Sequence, residues 1–286
     1  AEDGIRYCLL SRGLGDVYKR QENSYALITG ASSGIGLEIA KDLAGRGYNL
    51  ILTARRTELL ESISKEISEA NNVHVDLISK DLSNYDAPQE IFEFCESKKY
   101  NVDILINNAG YGIKTSFHET SIDDEEAFIR VLGTSVIMLT KLFIPKMLEH
   151  GGGKIMIVSS VASFAPPSAI QPLYGPIKTF MNRFSDGINI NYKRKGITST
   201  AVCPGFTTTG FHTASGVQEE MDRVPRFMVF PASRVAKEGV DAMFAGKSIF
   251  IPTKTYRAIV FLTTNLPQFL LRFISNMLAP GRYDKN

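Results

Sequence analysis

Tyr174 and Lys178 stand four residues apart in Tyr174-Gly-Pro-Ile-Lys178, at the head of a stretch with helical spacing. On a helix that interval puts a phenol and an ammonium on one face. A free tyrosine ionises near pH 10, too high for ready proton exchange at neutral pH, and a neighbouring cation favours the tyrosinate and lowers that value. A phenol so tuned can pass a proton to or from an oxygen of a bound molecule. A second group of residues, Thr29-Gly-Ala-Ser-Ser-Gly-Ile-Gly36, follows the apolar run Tyr25-Ala-Leu-Ile-Thr29. Glycines there allow a tight turn and the close approach of a pyrophosphate, and the helix that follows presents N–H groups and a positive dipole end to it. The interval is Gly-x-x-x-Gly-x-Gly, a variant of the commoner Gly-x-Gly-x-x-Gly fingerprint. Arg55 and Arg56 end the next apolar run, with no carboxylate beside them, and two guanidiniums can grip a phosphate in bidentate fashion.

The elements that must carry these groups alternate regularly. Strands are expected at 25–29, 49–54, 73–79, 102–107, 154–159, 198–203 and 248–251. Between them, helices are expected after the glycine turn, with Ile35, Ile39 and Leu43 on one face, at 57–70 and 87–98, over a long stretch at 123–149, and at 174–195 and 233–245. Strands alternating with helices specify a mostly parallel sheet covered on both faces, because each crossover must travel back along the sheet. The fold class is α/β, a single doubly wound, Rossmann-like domain with a seven-stranded mostly parallel sheet, and its connections are expected to be right-handed. With no internal repeat and no linker, residues 23–252 are read as one catalytic domain. Residues 1–22, which lack any periodicity and contain an adapter-like stretch from Ser11 to Arg20, are read as a non-native or disordered leader. In the tail, 253–286, Leu266, Phe269, Leu270, Phe273, Ile274 and Met277 fall on an amphipathic stripe bounded by Pro267 and Pro280. That stripe suits a helix over the substrate pocket or against a second subunit. A membrane-surface helix is the alternative, with Arg272 its one positive charge on the polar face.

Composition narrows the function. The chain has 286 residues, with 44% hydrophobic and 22% charged, which is globular composition. Thirty-two basic against 30 acidic residues leave a net charge of +2, unlike the concentrated basic excess of a nucleic-acid binder. Cys8, Cys95 and Cys203 are too few and too far apart for a disulfide framework or a paired-cysteine zinc site, and the four histidines show no ligand spacing. No metal is expected, and a reducing, cytoplasmic compartment fits this cysteine usage. No unbroken apolar run reaches the roughly 18 residues of a membrane span.

Thr29 to Gly36, Asn107-Asn-Ala-Gly110, Tyr174-Gly-Pro-Ile-Lys178 and Pro204-Gly205 occur in the order and spacing of the short-chain dehydrogenase/reductase family, which the chain resembles over about 24–252. The resemblance implies a nicotinamide cofactor and reversible hydride transfer between a carbonyl and an alcohol. It implies a cofactor turn formed by Gly30, Ser32, Ser33, Gly34, Ile35 and Gly36, and an adenine contact at Asp81 and Leu82. Asn108, Ala109 and Gly110 would border the adenosine ribose, and Pro204, Gly205, Thr207 and Thr209 would lie under the nicotinamide. With Arg55 and Arg56 facing a 2′-phosphate, the cofactor is expected to be NADP(H). Tyr174 would act as general acid/base. Lys178 would tune it and hold the nicotinamide ribose, and Ser160 would polarise the substrate oxygen, with Ser159 the alternative. Both Tyr174 and Lys178 would thus also touch the cofactor. One departure stands out: Leu132 falls where the family usually has an asparagine.

Phe211, Met221, Phe227, Met228 and Phe230, in the segment between Thr209 and Arg234, suggest an apolar ketone or aldehyde as substrate. The helices at 123–149 and 174–195 are by family analogy subunit contacts, giving a homo-dimer or tetramer. Two other functions are compatible with the sequence: an NADP-binding regulatory or degenerate relative with little catalysis, suggested by Leu132, and a membrane-surface scaffold acting through the tail.

Overall fold

Residues 24–113, 115–165, 172–209, 225–267 and 269–271 are described by the computed structural model. The leader expected at 1–22, Phe211 and Met221 of the substrate-side segment, and the tail stripe beyond Leu271 lie outside them.

Successive residues of the strands point to opposite faces of a sheet, and here both faces are buried. In β1 (Ser24–Thr29), Ala26 and Ile28 enter one apolar layer and Leu27 enters the other. β4 (Asn101–Asn107) and β5 (Gly153–Val158) repeat this, with Ile104, Ile106, Met156 and Val158 on the first face and Leu105, Ile155 and Ile157 on the second. The first layer is closed by α1 (Gly34–Gly45), α2 (Thr57–Asn71) and α7 (Ala232–Phe244), through Ile39, Leu43, Leu60, Ile67, Val240 and Met243. On the second lie α3 (Ala87–Ser97), α4 (Ile122–Ile129), α5 (Ser135–Glu149) and α6 (Tyr174–Tyr192), through Ile91, Phe128, Leu139, Phe143 and Met181. Each fully buried side chain of this size stabilises the fold by about 1.5–3 kcal/mol.

Together with β2 (Asn49–Ala54), β3 (Val75–Ser79), β6 (Ile197–Val202) and β9 (Ile249–Phe250), these strands form the expected seven-stranded sheet, in the order β3-β2-β1-β4-β5-β6-β9 with every pairing parallel. The order reverses between β1 and β4. At such a point the two connections leave in opposite directions and open a crevice outside the carboxyl ends of the strands.

Several expected boundaries move. The long helix at 123–149 starts at Ile122, where Ser121 and Asp124 form a reciprocal capping box, and it is interrupted by a π-helical turn at Arg130–Thr134. Apolar periodicity does not register such a turn, because Phe128, Val131, Leu132 and Leu139 remain buried across it. Helix α6 ends at Tyr192, and a 3-10 turn at Lys193–Lys195 leads into Gly196 at φ 86°. Some further elements were not expected. A short parallel pair joins β7 (Thr207–Thr208) to β8 (Phe230–Pro231), and a further helix, α8, runs from Lys254 to Asn265.

Candidate active site

The glycine turn occupies the reversal. Gly30 and Gly34 have φ of 66° and 58°, the left-handed region that side chains with a Cβ avoid. The backbone there is also closely packed. A Cβ on Gly30 would lie 2.9 Å from Ala109 Cα, and one on Gly34 would lie 3.1 Å from Thr209 Cβ. On Gly36 it would collide with the Asn108 amide and the Gly30 carbonyl. Thr29 ties the turn to β4: its Oγ1 accepts the N–H groups of Asn108 and Ala109 at 2.9 and 3.0 Å. Asn108 Nδ2 in turn donates to the carbonyls of Thr29 and Gly30, at 2.9 and 3.2 Å. Ser33 precedes α1 in an extended conformation and its side chain does not cap the helix, whose first turn also holds no acidic residue. The left-handed, closely packed glycine turn, together with first-turn N–H groups that no side chain caps, fits a dinucleotide phosphate.

At the end of β2 the two arginines diverge. Arg56 Nη2 donates to Ser32 Oγ at 3.3 Å, above the glycine turn, whereas Arg55 Nη1 lies 3.9 Å from Asp81 Oδ2. The other Asp81 oxygen accepts the Ser83 N–H at 2.9 Å, and the neighbouring Leu82 is buried. Gly110 is exposed.

Ser160 and Tyr174 meet. The Ser160 hydroxyl hydrogen-bonds the phenol and also accepts the Ala162 N–H at 3.1 Å. Ser159, the alternative, turns away and donates to the Lys178 carbonyl at 3.1 Å. Lys178 lies 5.7 Å from the centroid of the Tyr174 ring and donates through Nζ to the Val158 carbonyl at 2.8 Å. The electrostatics differ from the expectation. Burial pushes the Tyr174 phenol above its usual value, and the influence that lowers it is the Ser160 hydrogen bond, not the lysine. Burial also pulls Lys178 down, to about 8. The physical reason is that both groups leave water together, so the ammonium is itself penalised before it can favour a tyrosinate.

The sequence reading missed the residues that hold this group. Ser163 Oγ donates to the Ser160 carbonyl at 2.6 Å, and Asn182 Nδ2 donates to Ser163 Oγ at 2.8 Å. Asn182 is one further helical step from Lys178, and that spacing was the available signal. The Val161 N–H donates to the Pro204 carbonyl at 2.9 Å, which joins the Ser160 turn to the loop carrying Gly205, Thr207 and Thr209. Thr207 is buried, with Oγ1 donating to the Gly205 carbonyl at 2.9 Å, and Thr209 reaches Gly34. Beside Tyr174, a shallow hollow is lined by Ile113, Thr115, Phe117, Glu125, Phe128, Pro172 and Leu173. Leu132 sits in the π-helical turn with its side chain toward Gly110. Among the described residues no three His, Cys, Asp or Glu side chains gather closely enough to hold a metal.

A parallel sheet with a phosphate-sized cradle at its reversal defines the class of doubly wound α/β nucleotide binders. The short chain dehydrogenase family model matches residues 24–220, and the chain belongs to that family of oxidoreductases. It is 33% identical over 214 residues to very-long-chain 3-oxoacyl-CoA reductase-B of Danio rerio, covering 72% of this chain and 67% of that one. The chain thus spans about two thirds of that relative's length. Among solved structures, a short-chain dehydrogenase from Sphingobium yanoikuyae in complex with NADPH superposes with a TM-score of 0.75 at 26% identity, covering 86% and 96% of the two chains. The bulky-bulky ketone specific alcohol dehydrogenase from Comamonas testosteroni does so with a TM-score of 0.70 at 26% identity, covering 85% and 95%.

Proposed function

We propose that this protein is an NADP(H)-dependent carbonyl reductase acting on a bulky, apolar ketone or aldehyde. The observation that carries the reading is the meeting of Ser160 and Tyr174 on one side of a loop whose other end, Thr209, touches the glycine cradle. NADPH, when bound, supplies the hydride. The chain's own part is to bind and to move a proton. Ser160 holds the carbonyl oxygen, Tyr174 donates to it as an acid, and Lys178 holds the nicotinamide ribose while replenishing the phenol's proton. Gly30, Ser32, Ser33, Gly34, Ile35 and Gly36 take the pyrophosphate, and Asp81 and the Asn108–Gly110 backbone border the adenosine.

The mostly apolar lining beside Tyr174, in which Thr115 and Glu125 are the polar members beside the phenol, supports a substrate with little polarity near its carbonyl. The relatives named for 3-oxoacyl-CoA and for bulky ketones support the same class. Exposed Phe180 and Ile190 on α6 support pairing with a second copy through that helix. The test is a panel of long-chain 3-oxoacyl thioesters, bulky ketones and short aldehydes followed by NADPH consumption. Preference for the short aldehydes would overturn the substrate class.

Cofactor choice has its own test. Arg55→Ala and Arg56→Ala are each expected to weaken NADPH more than NADH, by about 1–3 kcal/mol for a lost charged hydrogen bond. Equal losses for the two dinucleotides, read by fluorescence titration, would contradict the phosphate role.

Leu132 favours a second reading, a cofactor-binding relative with little catalysis, because leucine supplies no polar group to a proton path. Leu132→Asn is expected to raise turnover if that gap limits the rate. An unchanged or lower rate in a folded variant removes this reading.

A further inference from the structure

Helix α8 lies beyond the segment that the family model matches, yet it reaches the candidate site. Its Tyr256 is 3% exposed and packs so tightly on Gly205 that a Cβ there would fall inside the ring. The Tyr256 hydroxyl accepts the Phe206 N–H at 3.0 Å and donates to the Met228 carbonyl at 2.9 Å. Phe206 leads into β7 and Met228 lies two residues before β8, at the same end of this parallel pair. The Phe230 N–H donates to the Phe206 carbonyl at 3.0 Å, and the Phe230 ring meets Tyr256 edge-on at 6.0 Å between centroids. One buried hydroxyl therefore ties together the two backbones that lead into the β7–β8 pair.

The entry to α8 carries an independent sign. Thr253 has φ 66°, a conformation rarely adopted by a β-branched residue. Its N–H donates to Glu238 Oε2 at 3.0 Å, and its carbonyl accepts the Arg257 N–H at 3.3 Å. Strain of this kind persists where the surroundings over-determine it. Here it sets the first turn of α8, and Tyr256 lies in that turn.

We propose that Tyr256 is a positioning residue for the nicotinamide end of the cofactor, holding the Pro204–Thr209 loop where Thr207 and Thr209 meet the dinucleotide. The inference rests on the function proposed above and extends it to a residue outside the matched segment. Tyr256 touches no reacting atom. A loop ordered before binding spares the ordering cost at the moment of binding, and two hydrogen bonds from one buried hydroxyl supply that order.

Tyr256→Phe keeps the ring on Gly205 and removes only the hydroxyl. Two probes read its effect: NADPH, which engages both halves of the dinucleotide site, and adenosine 2′,5′-bisphosphate, which engages the adenosine half alone. The expected result is an NADPH dissociation constant raised about tenfold, the size of one lost hydrogen bond, with adenosine bisphosphate binding unchanged. Amide exchange at Phe206 in the cofactor-free protein is expected to speed up by about tenfold as its acceptor is lost. A general loss of structure would instead weaken both probes together, and that result overturns the proposal, as does wild-type exchange at Phe206. If the wild-type protein binds neither probe, the proposed function falls, while exchange at Phe206 still decides whether the hydroxyl holds the loop.

Discussion

Tyr174→Phe is expected to lower turnover by about 10²–10⁴-fold, the range that a positioned proton donor contributes. The phenyl ring keeps the packing of the half-buried tyrosine against the second apolar layer, so the fold and the NADPH dissociation constant are expected to stay close to wild type. What disappears is the phenol hydroxyl that meets the Ser160 side chain at the end of β5. Steady-state rates and fluorescence titration on the same preparation check both halves of this expectation. A loss under tenfold would move the acid role to another group. A matching loss of cofactor affinity would mean that the phenol is chiefly a binding group.

Lys178→Met is expected to have opposite effects on activity and stability. Turnover should fall by at least about 10²-fold, because the group that holds the ribose and returns the proton is gone. Stability of the cofactor-free protein at pH 7 should rise, by about 1–3 kcal/mol. A lysine in the unfolded chain holds its proton up to about 10.5, whereas the buried Lys178 holds it only to about 8. Between those values the unfolded state binds more protons, so wild-type stability increases with pH across the window, and below pH 8 the whole burial penalty is in force. Each unit of depression is about 1.4 kcal/mol, and the Val158 carbonyl left without its donor takes back part of the gain. The advantage of the methionine variant should therefore shrink from pH 8 to pH 10.5. Denaturant unfolding at pH 7 and pH 10 measures it, and an advantage that stays constant or grows with pH would show that the ammonium is not penalised.

The alternation of apolar strands and amphipathic helices was legible because both faces of the sheet are covered and each period is written in the residue types. Thr29–Gly36 was equally legible: Gly30, Gly34 and Gly36 occupy positions where a Cβ meets backbone or a packed side chain. Asn108 was read as a ribose neighbour; that its amide nitrogen also clamps the turn is something only the pairing of β1 with β4 reveals. The choice between Ser159 and Ser160 was likewise open along the chain. Adjacent residues at a strand end point to opposite sides, and α6 decides which side faces the phenol. Helix α8 escaped notice because only Tyr256 and Val260 of it are buried, too short a stripe for periodicity to distinguish from a polar tail.

By itself, then, the order of residues determined which chemistries the chain carries: a phenol and an ammonium on one helical face, glycines at a strand-to-helix corner, and cations where a phosphate would lie. It could do so because each of those features depends on neighbours within about four positions. Tertiary structure alone decided how strongly the groups act on one another. Proton affinities in the site follow from desolvation by β5, α6 and the Pro204 loop, and the loop's position follows from Tyr256, some 50 residues away along the chain. Burial and long-range hydrogen bonds are properties of the folded packing, and no local pattern encodes their magnitude.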